Sequence, residues 1–434
     1  MSRLVIEGGV PLSGDVFISG SKNATLAIMA GSVGIKGVTV LHNVPVIADV
    51  IRMANILETL GIKCDFDKVN HTMTIDARRV TSFAPPAYLV SGMRAGFYIM
   101  GSLLARTGNA NIPHPGGCNI GIRGINFHVD AFNKMGAIVN EVRKKDEFDS
   151  TEQYVFATCK DTKLHGADIT MDFSSAGASE HIIAAACLAE GKTTIFPAAL
   201  EPEVLELAKF MNAAGGHVEY DFDKRLATVY GTEELHGPEY TIPGDRMEIG
   251  TYAVAAAITG GKVTIHNVVP EDQAAVVGKL TKTGAVVKFS GDTMMVSMNK
   301  RPKAVDIETA VHPGFPTDMQ QPFSAYMAIA DGHCSVDETI YEARFEFATS
   351  LNKMGAKITR TEKGKHCDID CVEKLHGCKD MYAPDLRGGA AIVCAALAAV
   401  GKSTITNIEV IERGYENLVD KVRTLGAKIE KYED

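Results

Sequence analysis

Apolar positions along the chain alternate between two rhythms. Val50, Met53, Leu57 and Leu60 follow one face of a helix, Gly61 interrupts the pattern, and polar–apolar alternation resumes in "IKCDFD". This order predicts a helix, a left-handed glycine cap and a strand. The same order closes at Gly136 ("FNKMGAIV"), Gly215 ("MNAAGGHV"), Gly284 ("KLTKTGAVV"), Gly355 ("LNKMGAKI") and Gly426 ("VRTLGAKI"). Ahead of each lies another glycine that leads into a short strand-like run, at Gly37, Gly108, Gly191, Gly261, Gly332 and Gly401. The spacing is about seventy residues, so the chain reads as six copies of one α/β unit.

Upstream of each leading glycine is an apolar, mostly Ala-rich segment: "NATLAIMAGSVG", "RAGFYIMGSLLA", "SEHIIAAACLAE", "TYAVAAAITG", "FSAYMAIADG" and "GGAAIVCAALAAV". A helix that is apolar around its whole circumference belongs inside a fold. Each unit is therefore expected to bury one helix and to expose the other with its sheet, and six units make two domains of three.

The 434 residues exceed the usual size of a single core. The longest apolar runs fall short of the ~20 residues that span a bilayer, so no membrane insertion is expected. "MSRLVIEGGVP" lacks the basic start and long apolar core of a signal peptide, which points to a cytoplasmic protein. The net charge of -9, the absence of Trp and the lack of a basic stripe with interleaved aromatics argue against nucleic acid as a partner. Nine cysteines in such a chain do not suggest a disulfide framework. Their one cluster, Cys367, Cys371 and Cys378 with His366 and His376, alternates polar and apolar and has no CxxC pair, so no metal site is read there.

Polar residues stand at the starts of the buried helices: Lys22 and Asn23, Arg94, Ser175 to Gly177, Arg246 with Glu248, Asp318, and Asp385 with Arg387. Such residues cap helices, and beside Arg or Lys the same N–H groups also bind anions. Repeat symmetry would aim all six toward the faces where two three-unit domains meet, and a cleft between domains is a common ligand site. Together with Arg123 and Arg413 the cations imply an anionic ligand in an acidic protein. The longest unit, Gly108 to Gly136, contains "IPHPGGCNIGIRG", which places Cys118 on an enlarged glycine-rich loop, accessible and lid-like.

The order "SGSKNATLAI", "MRAGFYIMG", "PGGCNIGIRG", "SSAGASEHI", "EPEV", "GDRMEIGT", "HPGFPTDMQ", "YEARF", "DLRGGAAIV" and "ERGYENL" resembles the enolpyruvyl transferases over the whole chain. The resemblance is closest to the branch that uses UDP-N-acetylglucosamine. The sister branch, 5-enolpyruvylshikimate-3-phosphate synthase, shares the fold but not the cysteine loop. The resemblance implies two inside-out α/β barrels with the site in the inter-domain cleft. One domain would cover residues 22–243 and carry the Cys118 loop; the other would cover 1–21 plus 244–434. It further implies transfer of the enolpyruvyl group of phosphoenolpyruvate to the 3'-hydroxyl of UDP-N-acetylglucosamine with release of phosphate. That is the first committed step of peptidoglycan synthesis, and it needs no metal or organic cofactor.

By the same resemblance Cys118 is the proton donor to the methylene carbon of phosphoenolpyruvate, forms a covalent adduct with it and is the target of fosfomycin. Asp318 is implied to take the acceptor proton, and Asp385 to lie near the reacting carbons. Lys22, Arg123 and Arg413 match residues around the phosphate, and Arg344 and Arg387 those around the carboxylate. Guanidinium groups suit both anions, because they pair through two hydrogen bonds. The nucleotide-sugar contacts correspond to Asn23, Arg94, Arg123, Gly124, Ile125, Asn126, Phe127, Phe173, Ser174, Ser175, Ala176, Gly177, Asp318 and Ile340.

Three departures fall on the acceptor side. The chain reads "RGINFH" where family members often read "RPxDLH", Ala48 stands where a lysine is common, and "SVGAT" has become "SAGAS". Two alternatives therefore stand beside the first reading. One is enolpyruvyl transfer to a different nucleotide or alcohol; the other is a non-catalytic nucleotide-sugar binding protein, which would need neither acid nor base.

Overall fold

The computed structural model describes residues 2–117, 120–121, 123–145, 151–361 and 364–433. All six closing glycines take positive φ: Gly61 (85°), Gly136 (90°), Gly215 (95°), Gly284 (98°), Gly355 (94°) and Gly426 (93°). Each follows a helix and turns the chain into the next strand, a conformation that costs a residue with a Cβ.

The chain divides into two compact units. The first comprises residues 20–117 and 123–242, the second residues 2–19, 120–121 and 243–433. In the second, the Ala343 N–H donates to the Ile120 carbonyl at 3.2 Å.

Six sheets correspond to the six repeats. In the first repeat Val38–His42 pairs antiparallel with Thr72–Asp76, which pairs antiparallel with Lys63–Asp67. Glu239–Thr241 adds a parallel edge from a later part of the chain. The sheets around Lys192–Phe196, Lys262–His266 and His333–Asp337 share this order. Among the described residues the second repeat has three strands, Asn109–Pro113, Ala137–Lys145 and Thr151–Cys159. The sixth borrows its central strand: Arg3–Glu7 lies between Lys402–Thr406 and Lys428–Tyr432, with Leu4 opposite Ile405 and Ile6 opposite Ile429. Leu4 and Ile6 are buried there.

Each unit encloses three helices. In the first these are Lys22–Ser32, Ile99–Thr107 and Ala176–Ala186; in the second, Arg246–Ile258, Thr317–Met327 and Leu386–Ala398. Within each unit the three pack on one another, and the outer helices and sheets cover them. Each is buried along nearly its whole length, so an inside-out α/β barrel is what these all-round apolar sequences produce. The segment read as one helix from Arg94 is split: Arg94–Tyr98 forms a 3-10 turn before the α-helix begins at Ile99. Among the described residues no helix is long and apolar enough to cross a membrane.

Candidate active site

The candidate residues fall into two sets, one on each unit. In the first unit Ser21 caps the Lys22–Ser32 helix, its hydroxyl accepting from the Ala24 N–H at 3.4 Å. Lys22 opens that helix with its ammonium 3.6 Å from the buried carboxylate of Asp49. Asn23 follows, half-buried.

Arg94 acts on backbone. Its Nη1 donates to the Arg123 carbonyl at 2.6 Å and its Nη2 to the Gly124 carbonyl at 2.7 Å. These two charge-assisted bonds fix the turn that starts the Asn126–Lys134 helix. Ile125 is buried beneath the turn, while Gly124 and Asn126 are exposed. Asn126 and Phe127 also line a recess of about 90 Å³ with Asp130, Lys134 and the segment Ile169–Asp172. The rings of Phe127 and Phe173 meet edge to face at 4.8 Å, and Phe173 is 65% exposed.

The Ala176–Ala186 helix begins beside them. Ser175 caps it, accepting from the Ala178 N–H. Ser174 Oγ is buried and takes no hydrogen bond among the described residues. A Cβ on Gly177 would stand 2.2 Å from the Tyr98 hydroxyl, so only glycine lets the tyrosine lie against this helix start. Below it are two buried histidines. The Gly101 N–H donates to His181 Nε2 at 2.7 Å, which leaves the proton of a neutral His181 on Nδ1, 2.9 Å from His128 Nδ1. Burial, reinforced by the Arg94 charge, pushes His128 down to about 3, and burial holds His181 well below its usual range.

The second unit carries the charged set. Asp318 lies in the first turn of the Thr317–Met327 helix, gripped by two arginines: Arg344 Nη2 at 2.8 Å on Oδ1 and Arg387 Nε at 3.0 Å on Oδ2. Both arginines are buried, at 5% and 2% exposure. Arg344 Nη1 donates to the Thr317 carbonyl, and its guanidinium faces the Tyr341 ring at 5.2 Å. Arg387 faces the Tyr415 ring at 5.3 Å, and the Tyr415 hydroxyl is 2.8 Å from Thr251 Oγ1. Desolvation works against both cations, yet the surrounding negative and phenolic groups hold Arg344 and Arg387 above the ordinary guanidinium range. Arg344 Nε and Arg387 Nη1 are buried without a hydrogen-bond partner among the described residues.

Asp385 has a structural duty. Its Oδ1 accepts from the N–H groups of Arg387 and Gly388 at 2.9 and 3.1 Å, and its Oδ2 from Gln321 Nε2 at 3.2 Å. Gln321 also donates to the Arg344 carbonyl. Arg413 is half-buried, two residues before Tyr415, and Ile340 is half-buried beside Glu338, whose carboxylate accepts its N–H at 2.9 Å. Cys118 lies outside the described residues. Sequence reasoning did not single out Tyr98, Tyr341, Tyr415 or Gln321; of these, Tyr98, Tyr341 and Tyr415 sit inside the quoted motifs "MRAGFYIMG", "YEARF" and "ERGYENL".

A profile of the EPSP synthase (3-phosphoshikimate 1-carboxyvinyltransferase) family matches residues 6–422. UDP-N-acetylglucosamine 1-carboxyvinyltransferase 3 of Caldanaerobacter subterraneus subsp. tengcongensis is 41% identical over 429 residues, covering 99% of both chains. The UDP-N-acetylglucosamine 1-carboxyvinyltransferase of Halorhodospira halophila is 41% identical over 436 residues, covering 100% of both. Among solved structures, the enolpyruvyl transferase NikO from Streptomyces tendae superposes with a TM-score of 0.87 at 24% identity, covering 99% of this chain and 98% of its own. EPSP synthase from Acinetobacter baumannii does so at 0.75 and 18%, covering 100% of both. With matches that run from end to end, the chain belongs to the EPSP synthase family of enolpyruvyl transferases.

Proposed function

We propose that the chain transfers the enolpyruvyl group of phosphoenolpyruvate to the 3'-hydroxyl of UDP-N-acetylglucosamine and releases phosphate, in the cytoplasm, at the step that commits the nucleotide sugar to peptidoglycan. The observation that carries this reading is the full-length identity of about two-fifths with relatives of that activity. The residues supply suitable chemistry. Asp318 is the base that takes the acceptor proton as the hydroxyl oxygen adds to the central carbon of phosphoenolpyruvate. Cys118 delivers a proton to the methylene carbon, and the resulting tetrahedral adduct loses that carbon's proton and then phosphate. Arg344 Nε and Arg387 Nη1, buried without acceptors among the described residues, suit the substrate carboxylate. Lys22, Arg123 and Arg413 serve the phosphate.

On the first unit the Ser174–Gly177 helix start offers N–H groups to a diphosphate, and the exposed Phe173 ring with Phe127 offers an apolar wall to a nucleobase. Intact mass after treatment with fosfomycin tests the thiol: a single adduct on Cys118 supports its role, and an unmodified Cys118 contradicts it. Exposed Gly124 and Asn126, which depart from the family pattern, favour a second reading with another nucleotide as acceptor. Competition kinetics between UDP-N-acetylglucosamine and other nucleotides separate the two readings.

A further inference from the structure

The cysteine–histidine cluster in the sequence from His366 to Cys378 takes no part in the reaction above, and the fold disperses it. Among the described residues no group of three or more His, Cys, Asp or Glu is arranged to hold a metal ion. His366 turns to Asp337 at 2.7 Å, Cys367 is fully buried on its strand, and the Cys378 N–H donates to Ser403 Oγ. Cys371 acquires instead a neighbour that the sequence places far away, Cys334.

The pairing follows from strand register. In the antiparallel pair His333–Asp337 and His366–Asp370, Cys334 stands opposite Ile369. Side chains two residues apart on a strand share a face, so Cys371, one residue past the strand end, falls on the Cys334 face as its diagonal neighbour. The Cys371 N–H still bonds across to the Gly332 carbonyl at 3.2 Å. Its Sγ turns back over the strand to 3.7 Å from the carbonyl oxygen of Ile369, the residue facing Cys334. Diagonal Cα atoms lie about 7–8 Å apart, just beyond the ~6.8 Å that a disulfide usually spans, so closing the bond takes a small backbone shift. Among the described residues Cys371 makes no other backbone bond to the ladder, which gives it the latitude to close the remaining gap.

The two thiols have complementary surroundings. Cys334 is 1% exposed, whereas Cys371 is partly exposed. The Arg301 guanidinium is pinned beside Cys371, donating from Nη2 to the Val372 carbonyl at 3.1 Å and from Nε to the Ile329 carbonyl at 3.2 Å. Burial pushes Cys64, Cys187, Cys367 and Cys394 up to about 12. Cys371 moves the opposite way: the neighbouring Cys334 thiol lowers it most, against the upward push of burial, and the charges of Arg301 and His333 add to the lowering. Cys334 is raised correspondingly. A partly exposed, thiolate-favouring cysteine next to a buried thiol has the layout of an attacking and a resolving residue.

We propose that Cys371 and Cys334 form a dithiol that hydroperoxides convert into an intramolecular disulfide. The Cys371 thiolate attacks one peroxide oxygen; the O–O bond breaks, hydroxide or alkoxide leaves with the electron pair, and Cys371 becomes a sulfenic acid. The Cys334 thiol then attacks that sulfur; the S–O bond breaks, the S–S bond forms, and water leaves with the thiol proton. Two thiols are oxidised by two electrons, and one peroxide is reduced. An added thiol reverses the step by exchange.

The test treats the full chain with a small excess of hydrogen peroxide, blocks remaining thiols with N-ethylmaleimide and maps the peptides. The expected product is a peptide pair joining Cys334 to Cys371, lighter by two hydrogens and separated by dithiothreitol. Cys334→Ala leaves Cys371 as a sulfenic acid trapped by dimedone, and Cys371→Ser leaves Cys334 a free thiol. In the wild-type chain, dimedone on Cys371 without the 334–371 link overturns the proposal. So does a link from Cys371 to Cys367 or Cys378, or a Cys371 that labels with maleimide as fully after peroxide as before. Because the mapping is by site and does not use turnover, oxidation at Cys118 does not enter the result.

Discussion

In the first unit Arg94 directs two guanidinium bonds at backbone carbonyls, whereas in the second Arg344 and Arg387 close on a single carboxylate, Asp318. The first arrangement fixes the shape of a turn and leaves N–H groups and aromatic faces to meet a ligand. The second concentrates charge at one point and shields it from water. Shape governs which molecule is held, and concentrated charge governs which bonds change, so the two units are expected to fail in different ways when altered.

The largest failure belongs to Asp318. Asp318→Asn removes the proposed base and the charge that two buried arginines share, so turnover followed by phosphate release should fall about 10²–10⁴-fold. Stability should fall as well, by about 3–5 kcal/mol, because two buried cations lose their counter-ion. Loss of stability without loss of turnover would make Asp318 a structural carboxylate only. On the first unit the effect should move to binding. Arg94→Met deletes both bonds to the turn and should raise KM for the nucleotide sugar about tenfold with kcat little changed, since each charge-assisted bond contributes about 1.5–3 kcal/mol before the turn relaxes. A parallel fall in kcat would erase the distinction between the units.

Gly177→Ala sharpens the same contrast. The added Cβ meets the Tyr98 hydroxyl at 2.2 Å, an overpacking that should cost about 1–3 kcal/mol and weaken nucleotide binding, measured by calorimetry. Combining it with Tyr98→Phe removes the nearest atom and should recover part of the loss. Additive losses would show that the tyrosine is not the obstacle.

Protons give the smallest effect and one with opposite signs in the two units. His128 and His181 are held neutral by burial, so below the usual histidine value near 6.5 the unfolded chain binds protons that the folded chain refuses. Stability from these groups falls as pH drops below about 6.5, by at most about 1.4 kcal/mol per pH unit for each. In the second unit Glu248 is pushed up to about 7 by burial, despite Lys421 at 2.7 Å. The folded chain keeps that proton longer than the unfolded chain, and the contribution is lost as pH rises from about 4.5 to about 7. Urea unfolding across this window should therefore show His181→Asn flattening the acid-side loss and Glu248→Gln flattening the loss toward neutral pH. Parallel curves for all three proteins would contradict both assignments.

Much of this architecture was legible in the sequence because it is local. A glycine after a helical stripe marks a left-handed cap wherever it occurs, and helices such as "TYAVAAAITG" have no polar face to expose. Arg3–Glu7 was not legible as the centre of the sixth sheet, since its partners lie about four hundred residues away and nothing nearby encodes that register. The site divides similarly. The motifs singled out Asp318, Arg344 and Arg387, but the closing of both arginines on one carboxylate brings together residues of two separate repeats. Asp385 before Arg387 reads equally well as cap or acid, and the structure shows the capping bonds. The nearness of Cys371 to Cys334 was not legible either, because it depends on the register of two strands about thirty residues apart in the chain.

The decisive measurement is a mass spectrum of the nucleotide products after the purified protein is incubated with phosphoenolpyruvate and UDP-N-acetylglucosamine, with free phosphate assayed alongside. A nucleotide sugar heavier by one enolpyruvyl group, with phosphate released in equal amount, is the predicted result. Nucleotide sugar recovered unchanged from a protein that binds it, with no phosphate formed, would contradict enolpyruvyl transfer to this acceptor.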